Sequence, residues 1–259
     1  MDGDAKSPHP SVASGCQGHP FRANLEQKAR TMSITPSKLT QAAGISALLA
    51  GLLYILRQPL HPTDEVSEVY GLAWLIVGYT TLCMSVLGLA GVTGIYLWQV
   101  KETGLLGLIG YLMFGSWFVL LTAFTFAQTL ILPPLAPEAP QFVNSFLGIF
   151  SGSGGEVNLG ALGSLALVSA VLYIPGGLMF GIAVYRARVL SRWGAGVLIV
   201  GMALTPLASI FPHTAGSVFA VPVGLAMMWL GYSLWSEERK SAGHQLGQGS
   251  PKPSHAPAN

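Results

Sequence analysis

The chain has 259 residues, of which 51% are hydrophobic and only 9% are charged. Soluble domains carry about 25% charged residues, so this composition excludes an ordinary soluble protein and predicts a chain whose solvent is lipid. The net charge of +2 is too small to indicate a nucleic-acid partner, and the partner that the composition does predict is the lipid bilayer.

Both ends of the chain are polar and carry prolines without apolar periodicity. We therefore predict a disordered cytoplasmic N-terminal tail over residues 1–37 and a disordered cytoplasmic C-terminal tail over residues 237–259. Met32 opens a stretch that is typical of a protein start, so residues 1–31 are either part of the mature protein or an upstream extension. A transmembrane domain is predicted over residues 38–236.

Six apolar runs follow one another within that domain, and polar or proline-containing turns separate them. Each run is long enough to cross a bilayer or nearly so, which predicts an all-α membrane protein. Residues 133–157 form the longest loop, in which residues 141–150 could form a short interfacial helix with one aromatic side. Pro175, Pro206 and Pro222 fall inside spans and predict kinks or local unwinding there. The predicted spans cover about residues 39–56, 70–98, 104–132, 159–185, 193–210 and 215–235.

The turn between the fourth and fifth spans carries Arg186, Arg188 and Arg192 within seven residues. Lysine and arginine near the ends of spans remain on the cytoplasmic side, so this turn is predicted to be cytoplasmic. With six spans, both termini are then cytoplasmic, and Arg57 is the only arginine or lysine in the outer loops. We interpret the three arginines as topology anchors that also attract anionic lipids of the plasma membrane.

Three spans end in a similar way, with a glycine, three mostly apolar residues and then an aromatic residue, at 94–98, 181–185 and 231–235. One interpretation is that the chain contains three tandem helical hairpins in parallel orientation. The alternative is that there is no repeat, and that each cytoplasmic end of a span carries a Trp or Tyr beside basic residues because it lies at the membrane interface.

Residues 178–201 and 224–235, together with 50–55, are similar to a family of uncharacterised bacterial multi-pass membrane proteins of unknown function. The resemblance covers roughly residues 38–236, and it implies a six-span topology and a bacterial inner-membrane location. It implies no activity, substrate or catalytic residue. Gln128 stands where that group often carries an acidic residue, and this departure argues against a proton relay at that position.

The spans contain no Asp, Glu, Lys or Arg, which argues against a proton-coupled pump. The polar residues that remain include Thr122, Thr125, Gln128 and Thr129 in the third span, at or next to helical spacings of three and four. They could line a polar groove for a small ligand. The alternative interpretation is hydrogen bonding between helices, which is worth roughly 0.6–2 kcal/mol per pair.

His61 and Asp64 lie in the first outer loop, and His213 lies in the matching loop of the last hairpin. Two imidazoles and one carboxylate could hold zinc or another transition metal. Their spacing matches no established metal motif, however, so the alternative is a solvated acidic loop. We assign no cofactor and no catalytic residue.

Three classes of function remain open from the sequence. The first is a structural or regulatory bundle that binds lipids, another membrane protein or a second copy of itself. The second is a transporter or permease for a neutral or apolar small molecule, and the third is a membrane enzyme with a metal site at the outer face. The lack of ionisable groups in the spans favours the first, non-enzymatic class.

Overall fold

The computed structural model describes residues 35–152, 155–210 and 217–248, and these ranges are helical with no strand. Short 3₁₀ turns lie at Gln58–Leu60, Val66–Tyr70, Gly160–Ser164, Thr205–Ile210 and Ser217–Ala220, and a π-helical turn lies at Ala127–Ile131. The α-helices are Pro36–Leu56 (α1), Leu72–Trp98 (α2), Val100–Phe126 (α3), Leu132–Leu135 (α4), Pro140–Ser151 (α5), Leu165–Ala187 (α6), Arg192–Leu204 (α7) and Val221–Gln248 (α8).

Within the described ranges, five helical segments are long and apolar enough to cross a membrane. They are Pro36–Leu60, Leu72–Trp98, Val100–Leu135, Gly160–Ala187 and Val218–Ser241. The segment predicted as a span over residues 193–210 forms the shorter α7, which changes to 3₁₀ geometry at Thr205. Pro206 explains the change, because proline cannot donate the backbone hydrogen bond that would continue the α-helix.

The predicted local unwinding occurs at Pro206 but not at the other two prolines. α6 remains helical through Pro175, Gly176 and Gly177, where local unwinding is one of the predicted outcomes. Pro222 lies in the first turn of α8 instead of inside it, where a missing backbone N–H does no harm. Regular α geometry is also interrupted near the start of α3, where Gly104 has φ of 58° and kinks the helix, and after α3, in the π-helical turn.

Six helices form a closed ring in which each packs on the next in the chain order α1, α2, α3, α6, α7, α8, and α8 packs on α1. α1 and α8 are antiparallel, because Gly44 lies against Gly231 and Gly51 lies against Gly224. We call the end of the ring that holds residues 57–71 the upper end, and the end that holds Gln99 the lower end.

Glycine allows the α1–α8 contact to be close enough for backbone to touch backbone. A Cβ atom on Gly44 would lie 2.8 Å from the carbonyl oxygen of Gly231, and one on Gly51 would fall on the carbonyl oxygen of Gly224. Between helices in lipid, attraction comes from close packing of small residues, since lipid tails are as apolar as the side chains. The four glycines therefore close the ring.

The lower half of the ring is filled by a hydrophobic core. Phe114, Phe180 and Leu230 are at most 1% exposed there, with Ile95 and Leu198 fully buried beside them. Tyr96 and Tyr111 stack with ring centroids 4.6 Å apart, and the Tyr111 hydroxyl is 3.2 Å from the Thr93 hydroxyl. We therefore expect no ligand-sized cavity to pass through this lower core.

The tails differ from the prediction where they are described. α8 continues to Gln248, although the sequence predicts a disordered tail from residue 237. Glu237 and Lys240 form an ion pair of 2.7 Å at helical spacing on this extension, as helices with alternating charges do. Residues 1–34 and 249–259 lie outside the described residues.

Candidate functional site

A cavity of about 380 Å³ lies in the upper half of the ring, between α1, α2, α3, α6 and the 3₁₀ turn after α7. This volume falls in the range of about 300–1,000 Å³ that is typical of small-molecule sites. The lining combines aromatic rings with hydroxyl, amide and charged groups. It includes Arg57, His61, Asp64, Trp74, Gly78, Thr81, Trp117, Leu121, Phe124, Thr125, Gln128, Thr129, Phe150, Ala166, Ser169, Ala170, Tyr173, Ile174 and Thr205.

Arg57 follows the last residue of α1, and its side chain turns into the ring. Its Nη1 donates a hydrogen bond of 3.2 Å to the hydroxyl oxygen of Thr81, which itself donates to the Val77 carbonyl at 2.7 Å. Thr81 is buried about two and a half turns into α2, or about 13 Å along the helix axis. The Arg57 guanidinium also lies 5.1 Å from the centre of the Tyr54 ring.

One polar atom of Arg57 has no partner. Within the described residues, its Nε is buried and makes no hydrogen bond. A long basic side chain at the end of a span normally extends toward water. Arg57 does the opposite and places its charge on the wall of the cavity.

Trp117 and Tyr173 form the floor of the cavity, and Tyr54 holds Tyr173 from α1. The hydroxyls of Tyr54 and Tyr173 are 3.1 Å apart and join α1 to α6 across the ring. The Tyr173 ring lies 4.2 Å from the Trp117 ring, and Trp117 Nε1 donates to Ser169 Oγ at 3.1 Å. The floor is thus held by polar contacts between three helices, and its rings separate the cavity from the lower core.

The π-helical turn Ala127–Ile131 positions the polar groups that α3 contributes. Its wider geometry frees the Gln128 carbonyl, which accepts a hydrogen bond of 3.0 Å from Trp74 Nε1 on α2. Thr129 approaches α2 so closely that only glycine fits at Gly78 opposite it. Single π turns inside α-helices occur frequently at functional sites.

The four polar residues predicted to form a groove on the third span separate into two groups. Thr125, Gln128 and Thr129 line the cavity, as the ligand interpretation requires. Thr122 instead donates to Ser85 Oγ at 2.8 Å and represents the alternative, an interhelical hydrogen bond. Whether the first three bind a ligand stays a prediction.

The candidate metal ligands of the outer loop meet the same cavity. His61 and Asp64 are half-buried and line its upper part, and His61 Nδ1 is 2.9 Å from the Pro62 carbonyl oxygen. His213 lies outside the described residues. In the part of the chain that the structure describes, no group of three or more His, Cys, Asp or Glu side chains is placed to hold a metal ion. The metal site stays a prediction.

α5 covers the upper end beside the cavity. It coincides with the predicted short helix at residues 141–150, and Phe146 and Phe150 contact Phe124 with ring centroids 4.9 and 4.7 Å apart. Phe150 also reaches the lining of the cavity. Ser145 ties the following segment back onto α5 by accepting a hydrogen bond of 3.2 Å from the Val157 backbone N–H.

The three arginines of the predicted cytoplasmic turn lie at the opposite, lower end. Arg186, Arg188 and Arg192 are exposed, and Arg188 ends α6 in the left-handed conformation with φ of 58°. The Arg192 guanidinium lies 4.6 Å from the centre of the Tyr185 ring, next to Trp193, which is 78% exposed. Their role as lipid and topology anchors stays a prediction.

The sequence did not single out Arg57, Tyr54 or Tyr173 as site residues. Arg57 was assigned to an outer loop, because its backbone does lie just past the end of a span. One signal was present in the sequence. The positive-inside rule predicts few basic residues in the outer loops, and Arg57 is the single exception among the predicted outer loops.

Comparisons with models of protein families, with curated proteins and with solved structures give no match. The resemblance to uncharacterised bacterial multi-pass proteins stays a prediction, and the cavity carries the argument about function.

Proposed function

We propose that this chain is an integral protein of a bacterial inner membrane whose helical bundle binds a small amphipathic molecule or lipid in the upper cavity. The observation that carries the proposal is a cavity of about 380 Å³ that combines aromatic walls with a few convergent polar groups. Ligand sites have this make-up, with apolar surface for affinity and a few polar groups for orientation.

A cavity kept only by imperfect packing would be expected to be small and apolar. Empty space in a packed interior destabilises it, because the side chains around the space lose dispersion contacts. Buried polar groups also require partners, whether protein, water or ligand. The rings of Trp117 and Tyr173 close the floor, and this favours binding over passage across the bilayer.

We propose six crossings, with α7 and its 3₁₀ turn as the sixth. At about 1.5 Å per α-helical residue and about 2.0 Å per 3₁₀ residue, Arg192–Leu204 and Thr205–Ile210 together reach about 30 Å, the thickness of the hydrocarbon layer. The antiparallel contact of α1 with α8 also supports an even number of crossings. The basic lower end then faces the cytoplasm together with both termini.

This topology predicts which positions react with a membrane-impermeant maleimide in intact bacterial cells. With both native cysteines replaced by serine, we expect Ser67→Cys to be labelled from outside, because Ser67 is exposed at the upper end. Lys101→Cys and Ser241→Cys should be labelled only after the cells are permeabilised. Labelling of Ser241→Cys from outside would mean an odd number of crossings.

The binding proposal predicts saturable uptake of a twelve-carbon amphiphile by the purified protein in zwitterionic nanodiscs. We expect tritiated dodecanoate, tritiated dodecanol or both to bind in a scintillation proximity assay. Ala170 lines the cavity, so Ala170→Trp should abolish the saturable signal by filling it. Ala90 is exposed on α2 outside the cavity, and Ala90→Trp is the matched control that should bind as the parent does. Equal signals for parent and Ala170→Trp with both probes would contradict the proposal.

A further inference from the structure

We infer that the ligand of the upper cavity is an amphipathic anion, with a carboxylate or phosphate head beside Arg57 and an apolar body against the aromatic walls. This inference rests on the proposed function, since it names the chemical class of the molecule that the cavity binds. It is carried by the inward side chain of Arg57, which a neutral ligand does not explain.

Arg57 is half-buried, and its Nε is fully buried without a hydrogen-bond partner among the described residues. Its guanidinium reaches Thr81, about two and a half turns below the start of α2, instead of extending to water at the end of α1. A charge removed from water is stabilised when it is paired and hydrogen-bonded. The described part of the chain supplies the Thr81 hydroxyl and the Tyr54 ring to the guanidinium, and it leaves the buried Nε without a partner.

The chemistry of the missing partner follows from the guanidinium. Arginine presents a planar fork of N–H donors that matches two oxygens of a carboxylate or phosphate. Such an anion beside Arg57 would compensate the charge and add acceptors to the Thr81 hydroxyl that the described residues provide. Tyr173 also lines the cavity, and its hydroxyl shares one hydrogen bond with the Tyr54 hydroxyl.

Asp64 belongs to the segment between α1 and α2 and also lines the cavity. Its negative charge would repel a bound anion instead of attracting it. Removing the Asp64 charge should therefore leave anion binding intact or strengthen it.

The apolar body has a separate part of the cavity available. Trp117, Leu121, Phe124 and Ile174 form continuous apolar surface, and Phe150 from α5 completes it from above. The 3₁₀ turn before α6 is exposed at residues 161–164, and the first turns of α6 are exposed at Leu167 and Ala170. A chain entering between them would leave its head beside Arg57.

The experiment compares probes that differ in the head alone. In the scintillation assay we expect dodecanoate and dodecyl phosphate to bind at least about tenfold more tightly than dodecanol, since hydrogen bonds to charged groups are worth about that much. Acetate and inorganic phosphate carry the head without the chain, and we expect neither to compete below millimolar concentration. Competition by these free anions at the concentration of dodecanoate would overturn the inference in favour of a simple anion site.

The substitution Arg57→Gln should weaken dodecanoate binding about tenfold or more while leaving dodecanol within about twofold. Arg57→Lys keeps the charge without the planar fork of donors, so its affinity for dodecanoate should lie between those of the parent and of Arg57→Gln. The exposed Lys101 provides the matched control, since Lys101→Gln removes one positive charge outside the cavity. This substitution should leave the affinities for dodecanoate and dodecanol unchanged. Asp64→Asn should not weaken the binding of dodecanoate.

Each remaining outcome decides between the two proposals. Equal affinity for dodecanoate and dodecanol, with Ala170→Trp blocking both, would overturn the anion inference and leave the binding function standing. Saturable binding of neither probe would overturn both. If Arg57→Gln fails to fold, the probe comparison in the parent and the Arg57→Lys and Asp64→Asn variants still decide the inference.

Discussion

Leucine at position 51 should open the helical ring and strongly destabilise the protein. Gly51 lies where α1 meets α8, and a Cβ there would fall on the Gly224 carbonyl oxygen and lie 2.8 Å from the Met228 backbone nitrogen. Overpacking typically destabilises a core by about 1–3 kcal/mol, and we expect at least the top of that range for Gly51→Leu because backbone and not only side chains must move.

The measurement is unfolding of the purified protein by sodium dodecyl sulphate in maltoside micelles, followed by tryptophan fluorescence. Gly196 of α7 is the matched control, since it also lies inside an α-helix and a Cβ on it would meet nothing within 4 Å. The unfolding free energy of Gly196→Leu should lie within about 1 kcal/mol of that of the parent, as is usual for surface substitutions. Similar losses for the two leucine variants would contradict a ring closed by the α1–α8 glycines.

Alanine at position 114 should have an effect of similar size, about 3–5 kcal/mol of lost unfolding free energy. Phe114 is 1% exposed, and its ring contacts the rings of Phe118, Tyr173 and Phe180 at centroid distances of 5.1, 6.0 and 6.1 Å. The loss comes from dispersion contacts around the new cavity, because lipid provides little hydrophobic driving force between helices.

Phe126 of the same helix gives the comparison for Phe114. It is 49% exposed, and Phe126→Ala should change the unfolding free energy by less than about 1 kcal/mol in the same titration. Because Phe114 also packs under the floor formed by Trp117 and Tyr173, Phe114→Ala should loosen the cavity and weaken dodecanoate binding as well. A Phe126→Ala variant as unstable as Phe114→Ala would show that the two faces of α3 are not distinguished by packing.

The third span illustrates how far the sequence predicts the candidate site. Helical spacing places Thr122, Thr125 and Thr129 on one side of a helix, and the structure does place Thr125 and Thr129 on the cavity. The spacing cannot indicate that Thr122 turns to Ser85, because that contact depends on α2. Nor does it predict the π-helical turn, which arises only where neighbouring helices compensate the altered backbone bonds.

Arg57 illustrates what the sequence leaves undecided. Its position after the last residue of α1 predicts a loop residue near water, and the backbone agrees with that prediction. The direction of the side chain depends on Thr81 and on the ring of Tyr54, which lie on two different helices. A rule about the ends of spans carries no information on which way a long side chain points.

Composition and the spacing of apolar runs by themselves determined that the solvent is lipid, that the chain is helical and where most helices begin and end. Those properties are local, since each helix satisfies its own backbone hydrogen bonds in lipid. Only the tertiary structure decided which faces meet, that glycines of α1 and α8 close the ring, and that Arg57 joins the cavity. In a membrane helix the lipid-facing and the buried sides are both apolar, so hydrophobic periodicity does not mark the packed face.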